Sequence, residues 1–446
     1  MGGFNLAAAE AVCADGDLID EFDVVDLVGS LVDKSMIIAD RGGETVRYSQ
    51  LETFRQFGRD CLVEAGELDM WRDAWLGYMV QVVRNAGEFY ETDRCVEAVD
   101  IFEAEWSNIR AAVQWAQASG RIDTAEELLV AVSWFAYWSL RDEVNVWVTS
   151  LLTDPTAGVR SLAVGSLLAA SVGDHDKGLA RGSEAIELGV GDDPVLGRAY
   201  LGVSGSHLYS GRAEPLELTG LAWQAHAERL NDRFALGILC GYWQSVHDLA
   251  HRNEQGLLWT SRMDELVTPL ANPVTSSYGA FCAGTLLASC NRIDDAEREL
   301  RTARRWAASG GVAAILSGLH SVEAALWRAK GDHDRYLESM GTAFAEGIEA
   351  HNQLNSWVAA QGIAQEWLRR GQHDLSLPVF GYLRAHRLQL ATKGRERTTN
   401  QIDSIAETSL QARELLTAGA EMTRQEITEF IMNALGALPT TIVAAN

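Results

Sequence analysis

Proline is scarce in this 446-residue chain, with only 7 residues, whereas alanine, leucine, glutamate and arginine are abundant. These four residue types favour helices, so the composition argues against a β-sandwich or a β-barrel. The chain is also too long for one core of ordinary size. We therefore predict a mainly α-helical protein that forms two or three domains or one extended repeat array.

Basic residues are few as well: 37 Lys and Arg stand against 62 Asp and Glu, for a formal net charge of -25. The deficit also holds within residues 1–70, which carry 5 basic and 15 acidic side chains. Such a surface repels a phosphate backbone, so we expect no direct binding of nucleic acid.

Closely spaced cysteines and long apolar runs are both missing. The 6 cysteines form no C-x-x-C pair, which argues against a disulfide framework or a zinc ribbon and favours reduced thiols. The most apolar stretch, residues 128–140, has 13 residues, against the roughly 20 that a membrane-spanning helix needs. We expect a cytoplasmic protein without a membrane segment, in which this stretch is a buried helix.

Motifs for catalysis are not found either. The sequence has no G-x-x-x-x-G-K-[ST] loop for a nucleotide and no G-x-S-x-G motif for a serine nucleophile. His247 and His251 share a helical face, as metal ligands can, but Asp248 is shorter than the glutamate base of such sites. We interpret these histidines as structural and expect no enzymatic activity, cofactor or metal in this chain.

The N-terminal region has the pattern of a winged helix. A helical segment that starts near Asp20 is followed by two β-prone runs, "SMIIAD" and "TVRYS", with Gly42-Gly43 between them to allow the positive φ angles of a tight hairpin. A second helix then ends at Gly66. The pattern predicts a winged-helix-like domain over residues 1–66 and a helical linker over residues 67–155.

A turn motif recurs along the rest of the chain, and its last four steps are 40 residues each. The first residue of each copy is Gly or Asn in all but one case, and the fourth is Asp or Glu, which is favoured at a helix N-terminus. The copies start at Gly120, Gly173, Gly211, His251, Asn291, Gly331 and Gly371. Each unit is thus a helical hairpin, and stacked hairpins predict a TPR-like α-solenoid of ~40-residue period over residues 156–391.

Residues 392–446 complete the predicted organisation. The segment begins with a polar loop, and a capping helix follows, with Thr423 and Glu426 as its capping box. The last residues are predicted to be a frayed tail.

The inner curve of such an array is where we expect a protein partner or a small effector to bind. Residues ten, six and three positions before each turn are predicted to face it, although a solvated polar face without a ligand would look the same. In the central units these groove-lining candidates are Ser245, Asp248, Phe281, Thr285, Ser321, Arg328, Gln361 and Gln365.

Several strings resemble the C-terminal part of large actinobacterial STAND-type regulators, which include LuxR-type regulators and relatives fused to adenylate cyclase domains. The strings are "GGFNLAAAEAVC" at 2–13, "LVDKSMIIAD" at 31–40, "RYSQLETFRQFGRD" at 47–60, "EAGE" at 64–67, "EAEWSNIRAAVQWA" at 103–116 and the closing "MTRQEI". The chain departs from the family at Ser107-Asn108-Ile109-Arg110, where Asp-Asn-Leu-Arg is usual, and at "RQFG" where "RQYA" is usual.

The resemblance implies a regulatory module of a signal-transducing ATPase. In that family an ATP-binding domain precedes the winged helix, so we expect a truncated, split or mis-started reading frame whose ATPase domain is encoded upstream. The repeats would then bind an effector or a partner protein. The alternative is a stand-alone TPR-like scaffold for protein–protein interaction.

Overall fold

The computed structural model describes residues 2–14, 19–43, 45–189, 191–210, 213–386, 388 and 395–436. Over these residues the protein is mainly α-helical with one two-stranded sheet, as the composition predicts. None of the described helices is both long enough and apolar enough to cross a bilayer. The N-terminal unit (residues 2–66) consists of α1 (Leu6–Cys13), α2 (Glu21–Asp33), β1 (Ile37–Asp40), β2 (Arg47–Gln50) and α3 (Glu52–Ala65).

The helix, hairpin and helix predicted for the N-terminal unit are present. The strands pair antiparallel from Ile37 with Gln50 to Asp40 with Arg47, and the C-cap of α3 is Gly66 at φ 74°, as predicted. The prediction for the hairpin turn was wrong. Neither Gly42 nor Gly43 has a φ in the left-handed region, and the segment between the two strands has six residues, more than a tight two-residue turn. Its residue 44 lies outside the described residues.

The linker bundle (α4–α6) follows and is built on aromatic packing. Its helices are α4 (Leu68–Tyr90), α5 (Cys95–Ala118) and α6 (Ile122–Trp138), and the short α7 (Glu143–Leu151) comes next. The rings of Phe102 in α5 and Phe135 in α6 stack with their centroids 4.9 Å apart. Trp134 and Trp138 are buried, so the buried helix predicted at residues 128–140 is confirmed.

The hairpin array (α8–α20) occupies most of the remaining chain. Its helices are α8 (Val159–Ser171), α9 (His175–Leu188), α10 (Leu196–Ser210), α11 (Ala213–Leu230), α12 (Arg233–Leu249), α13 (Asn253–Leu266), α14 (Pro273–Ser289), α15 (Ile293–Ser309), α16 (Ala313–Leu316), α17 (Leu319–Ala329), α18 (His333–Glu349), α19 (Gln353–Arg369) and α20 (His373–Ala385). A 3-10 turn, Thr268–Leu270, precedes α14.

Left-handed residues separate these helices at regular intervals. Six of the seven predicted turn positions have a positive φ, and the seventh, Gly211, lies outside the described residues. The second half of the array has further residues with a positive φ, each midway between two predicted turn positions. From residue 231 onward they stand 20 residues apart: Asn231, His251, Ala271, Asn291, Gly311, Gly331, His351 and Gly371. An Asp or Glu of each motif lies in the first turn of the following helix, where the helix dipole favours it.

The hairpin array curves around the linker bundle. Helix α6 packs against α8 near the start of the array and against α16 much further along. The ring of Trp134 lies 5.6 Å from that of Phe234 in α12, and the ring of Trp138 lies 5.3 Å from that of Tyr278 in α14. One continuous apolar cluster therefore joins the bundle to the array.

The array also returns on itself. The side-chain amide of Gln353, at the start of α19, lies 3.3 Å from the carbonyl oxygen of Val172 after α8 and 3.1 Å from Nη1 of Arg424. The C-terminal helices are α21 (Arg395–Thr408), α22 (Leu410–Glu421) and α23 (Arg424–Ala434). Since Arg424 is the first residue of α23, this last helix lies where the two ends of the array meet.

The C-terminal predictions have mixed outcomes. The capping box of Thr423 and Glu426 is present. The polar loop was predicted too long, because residues 395–401 belong to α21, which buries Ile402. The tail at residues 437–446 lies outside the described residues.

Candidate functional site

The eight predicted groove-lining residues lie on four helices that pack side by side, namely α12, α14, α17 and α19. Their exposure differs from that of an open groove. Asp248 and Gln361 are buried, Arg328 is exposed, and the other five are partly buried. The structure thus places them along one row of helices and leaves Arg328 as the most accessible of the eight.

Polar atoms in this row mostly bond to neighbouring helices or to their own helix. Ser245 Oγ in α12 lies 3.4 Å from Cys282 Sγ in α14, and Thr285 Oγ1 donates to the carbonyl of Phe281 at 2.9 Å. Burial raises the pKa of the Cys282 thiol to about 12, so it remains protonated and unreactive at neutral pH. These positions therefore join the helices to one another.

The linker bundle fills part of the space inside the curve. Phe281 packs against the same apolar cluster that contains Trp138 and Phe234. A partner that bound along the whole inner curve would have to displace the bundle from these contacts.

Arg198 of α10 ties the array to the bundle through a buried charge. Its Nε donates to Ser133 Oγ at 2.6 Å, and Nη2 donates to Glu91 Oε1 and to the Val130 carbonyl, both at 3.3 Å. The guanidinium carbon lies 4.9 Å from the ring centroid of Trp134. Burial lowers the pKa of Arg198 and raises that of Glu91. The attraction between the two side chains therefore offsets only part of the cost of removing their charges from water.

Asn272 makes a second tie between array and bundle. It is completely buried at the N-cap of α14. Its Oδ1 accepts from the backbone of Val274 and Thr275, and its Nδ2 donates to the carbonyls of Tyr90 and Thr92 at 2.8 and 2.7 Å. All four hydrogen-bonding positions of the amide are thus used. The Asn272-Pro273 pair signals a helix start in the sequence, but nothing in the sequence points to the contact with residues 90–92.

The N-terminal unit exposes an unusual amount of apolar surface. Of the 15 large hydrophobic side chains that are strongly exposed among the described residues, 7 lie in this short unit. Helix α3 is amphipathic, yet none of its residues, all of them described, is buried. The strongly exposed side chains of the unit are Phe22, Val25, Leu27, Ile38, Leu51, Phe57 and Val63. We call these residues the exposed face of the N-terminal unit.

A cavity of about 490 Å³ separates the N-terminal unit from the linker bundle. Val12 of α1 and Leu31 of α2 line one side, and Trp75, Tyr78 and Met79 of α4 line the other. Sequence reasoning did not predict this cavity, because it forms between elements that the chain brings together only in the folded state.

No family model matches the sequence. The chain is 30% identical over 270 residues to a protein of Mycobacterium bovis named "Putative HTH-type transcriptional regulator" and to proteins of the same name in two strains of Mycobacterium tuberculosis. Each match covers 55% of this chain and 29% of the relative. The chain is therefore distantly similar to proteins named as transcriptional regulators, and it spans less than a third of their length.

The histidine pair considered for a metal has other contacts in the structure. The ring of His247 stacks on that of Trp243 at 5.7 Å, and burial together with the nearby Arg252 lowers the pKa of His247. His251 is the left-handed turn residue at φ 55°. Within the described part of the chain, no three His, Cys, Asp or Glu side chains cluster in a way that could hold an ion. The arrangement at His247 is that of an aromatic packing position.

Proposed function

We propose that this chain is the regulatory part of a STAND-type transcriptional regulator, of the LuxR or the cyclase-linked branch. Its similarity to proteins named as transcriptional regulators supports the regulatory role. In this proposal the hairpin array is a TPR-like α-solenoid that binds an effector or a partner protein, and the chain itself is not an enzyme. The helix–hairpin–helix unit followed by helical hairpins supports this order of modules.

The observation that carries the proposal is the exposed face of the N-terminal unit. Phe22 is 85% exposed and Phe57 is 64% exposed. Nearly half of the strongly exposed large apolar side chains of the described residues lie in this one short unit, and exposed apolar patches mark protein interfaces. We infer that the exposed face docks on an ATP-binding domain encoded upstream.

The linker bundle is suited to couple this docking to the array. Arg47 of the N-terminal unit pairs with Glu105 of α5 at 2.6 Å, and Arg198 of the array pairs with Glu91 after α4 at 3.3 Å. A change in the curvature of the array would therefore move the bundle and, with it, the N-terminal unit. An effector can shift this equilibrium only if it binds one curvature more tightly than the other.

The docking can be tested by calorimetry. The 446-residue chain is titrated, in the presence of ADP, with a separately expressed ATP-binding domain encoded next to it. We expect one-to-one binding that Phe57→Asp weakens about tenfold or more, since it places a charge in an apolar interface. The matched control is Leu258→Asp on α13, where the leucine is 66% exposed but distant in sequence from the exposed face. This control should leave the affinity unchanged.

Two results would count against the proposal. Equal affinity of the wild type and the Phe57→Asp variant would exclude the exposed face as the docking surface. A gene neighbourhood without an ATP-binding domain, together with capture of a partner by the array alone, would instead favour the stand-alone scaffold.

A further inference from the structure

We propose that the cavity between the N-terminal unit and the linker bundle is a binding site for an uncharged, predominantly apolar small molecule that carries one hydrogen-bonding group. Its volume of about 490 Å³ falls in the range of roughly 300–1,000 Å³ that is typical of small-molecule sites. The site is distinct from the inner curve of the hairpin array, and of the seven residues of the exposed face only Leu27 lines it. The inference does not depend on the proposed function.

The walls determine the chemical class of the ligand. Phe4, Val12, Val28 and Leu31 on one side and Met79 on the other present aliphatic and aromatic carbon to the cavity. Without an occupant these side chains lack van der Waals contacts on one side, and an apolar ligand would restore them. A mainly hydrocarbon molecule therefore complements most of the wall.

The charged groups at the cavity are already paired, which argues against an ionic ligand. Glu105 accepts from Arg47 Nη1 and from Asn108 Nδ2, both at 2.6 Å. Arg55 donates to Glu52 on its own helix. Asn108 is also occupied, because its Oδ1 accepts from the backbone of Gly2 at 3.0 Å. A charged ligand would lose its hydration without gaining a free counter-charge.

Two aromatic side chains of α4 that line the cavity carry polar atoms without a hydrogen-bond partner among the described residues. Among the contacts of the described residues, neither the Tyr78 hydroxyl nor the Trp75 Nε1 makes a hydrogen bond, and both side chains line the cavity. Buried or half-buried Tyr and Trp usually find a partner for these groups. One polar atom on the ligand would supply it, which gives the molecule a fixed orientation.

A ligand at this position would contact both sides of a junction. Its contacts with α1 and α2 on one side and with α4 on the other would add to the link that Arg47 and Glu105 provide. Binding should therefore stabilise the arrangement of the N-terminal unit on the linker bundle.

Titration of the full chain with N-phenyl-1-naphthylamine tests the site, because this fluorophore is neutral, apolar and carries one N–H group. We expect a saturable rise in fluorescence at one probe per chain and a higher midpoint of thermal unfolding. Absence of saturable binding would overturn the proposal.

A pair of neighbouring variants on α1 locates the binding. Ala8 lines the cavity whereas Ala7 is exposed and does not. Ala8→Phe should fill part of the cavity and weaken probe binding about tenfold or more, and Ala7→Phe should leave it unchanged. Equal affinities of the two variants would place the probe elsewhere. Tyr78→Phe, a conservative change at a half-buried position, should lower the affinity about fivefold through loss of one hydrogen bond.

A second probe tests the absence of charge. 1-Anilinonaphthalene-8-sulfonate has the same ring system with an added sulfonate, and we expect it to bind at least about tenfold more weakly at this site, as judged by its competition with the neutral probe. Equal or tighter competition by the sulfonate would overturn the assignment of an uncharged ligand.

Discussion

Asn272 Nδ2 donates to the carbonyl of Tyr90 at 2.8 Å, across 182 positions of the chain. The same amide group donates to the carbonyl of Thr92, and its oxygen caps α14. One buried side chain thus closes the end of α4, starts α14 and holds the linker bundle inside the curve of the array.

Asn272→Ala is predicted to destabilise the protein by about 3 kcal/mol, because it removes a helix cap and leaves the Tyr90 carbonyl without its donor, whereas the Thr92 carbonyl keeps the backbone N–H of Cys95. The measurement is the free energy of unfolding in urea. Asp332→Ala is the control, since Asp332 caps α18 with a side chain that is 41% exposed. The free energy of unfolding of this variant should fall by about 1 kcal/mol, which is the contribution of a helix cap alone. Equal losses in the two variants would show that the contacts with residues 90–92 contribute nothing.

Arg198→Met is predicted to cost about 3 kcal/mol, because it leaves the Glu91 carboxylate without its charge partner and the buried Ser133 Oγ without its donor. Arg229→Met is the matched control. Arg229 pairs with Asp192 at 3.0 Å, but both side chains are 55% exposed, so the change should cost less than about 1 kcal/mol. In a double-mutant cycle, Glu91→Gln should recover part of the loss in Arg198→Met. Strict additivity of the two changes would contradict a direct interaction.

The turns of the array could be predicted from the sequence because their causes are local. A glycine or asparagine tolerates the left-handed conformation, and an acid three residues later favours the next helix N-terminus. These preferences act within four residues, so Asn291 and Gly331 could be read without knowledge of the tertiary structure. Their left-handed φ angles of 59° and 78° agree with that reading.

The position of the linker bundle could not be predicted in this way. Residues with helical periodicity show that a face is buried, but not which element covers it. Helical spacing therefore predicts that Phe281 faces a binding groove, whereas in the structure it packs next to the cluster of Trp138 and Phe234. The role of the eight groove-lining candidates in binding, and the domain boundaries at residues 66, 155 and 391, stay predictions.

The start of α21 shows that polar composition alone does not predict a loop. Residues 395–401 are polar and their composition predicts a loop, yet they are helical. The helix buries Ile402 to 1% exposure against the C-terminal apolar cluster. Packing of Ile402 and Ile405 further along the helix, rather than local propensity, supports this segment.

Gly419→Ala is predicted to destabilise the protein by about 3 kcal/mol or more, because α20 and α22 touch through their backbones. A Cβ atom at Gly419 would overlap the Pro378 carbonyl oxygen, and one at Gly381 would overlap that of Leu416. The control is Gly77→Ala in α4, where no atom lies within 4 Å of the new methyl group. That change should stabilise the protein by about 0.5–1 kcal/mol. Thermal unfolding distinguishes the two, and a stable Gly419→Ala protein would contradict the close approach.

Glu366 is predicted to make stability depend on acid pH. Burial by itself would raise its pKa, but hydrogen bonds from Arg369 at 2.6 Å and Arg370 at 2.7 Å outweigh burial and lower it from 4.5 to about 2. Since the folded-state pKa lies below the unfolded value, the carboxylate stabilises the fold above pH 4.5. This contribution, about 3 kcal/mol, should be lost as the pH falls from about 4.5 to about 2.

Urea unfolding of the wild type and of Glu366→Gln at pH 6 and at pH 3 measures this effect. The variant should be less stable at pH 6 and should lose less stability than the wild type on acidification, because its amide does not titrate. The control is Glu97→Gln, since Glu97 pairs with Arg94 at the same three-residue spacing but with both side chains about half exposed. Solvent screens that pair, so its removal should leave the pH dependence nearly unchanged. If Glu366→Gln and the wild type lost the same free energy between the two pH values, Glu366 would not be the titrating group.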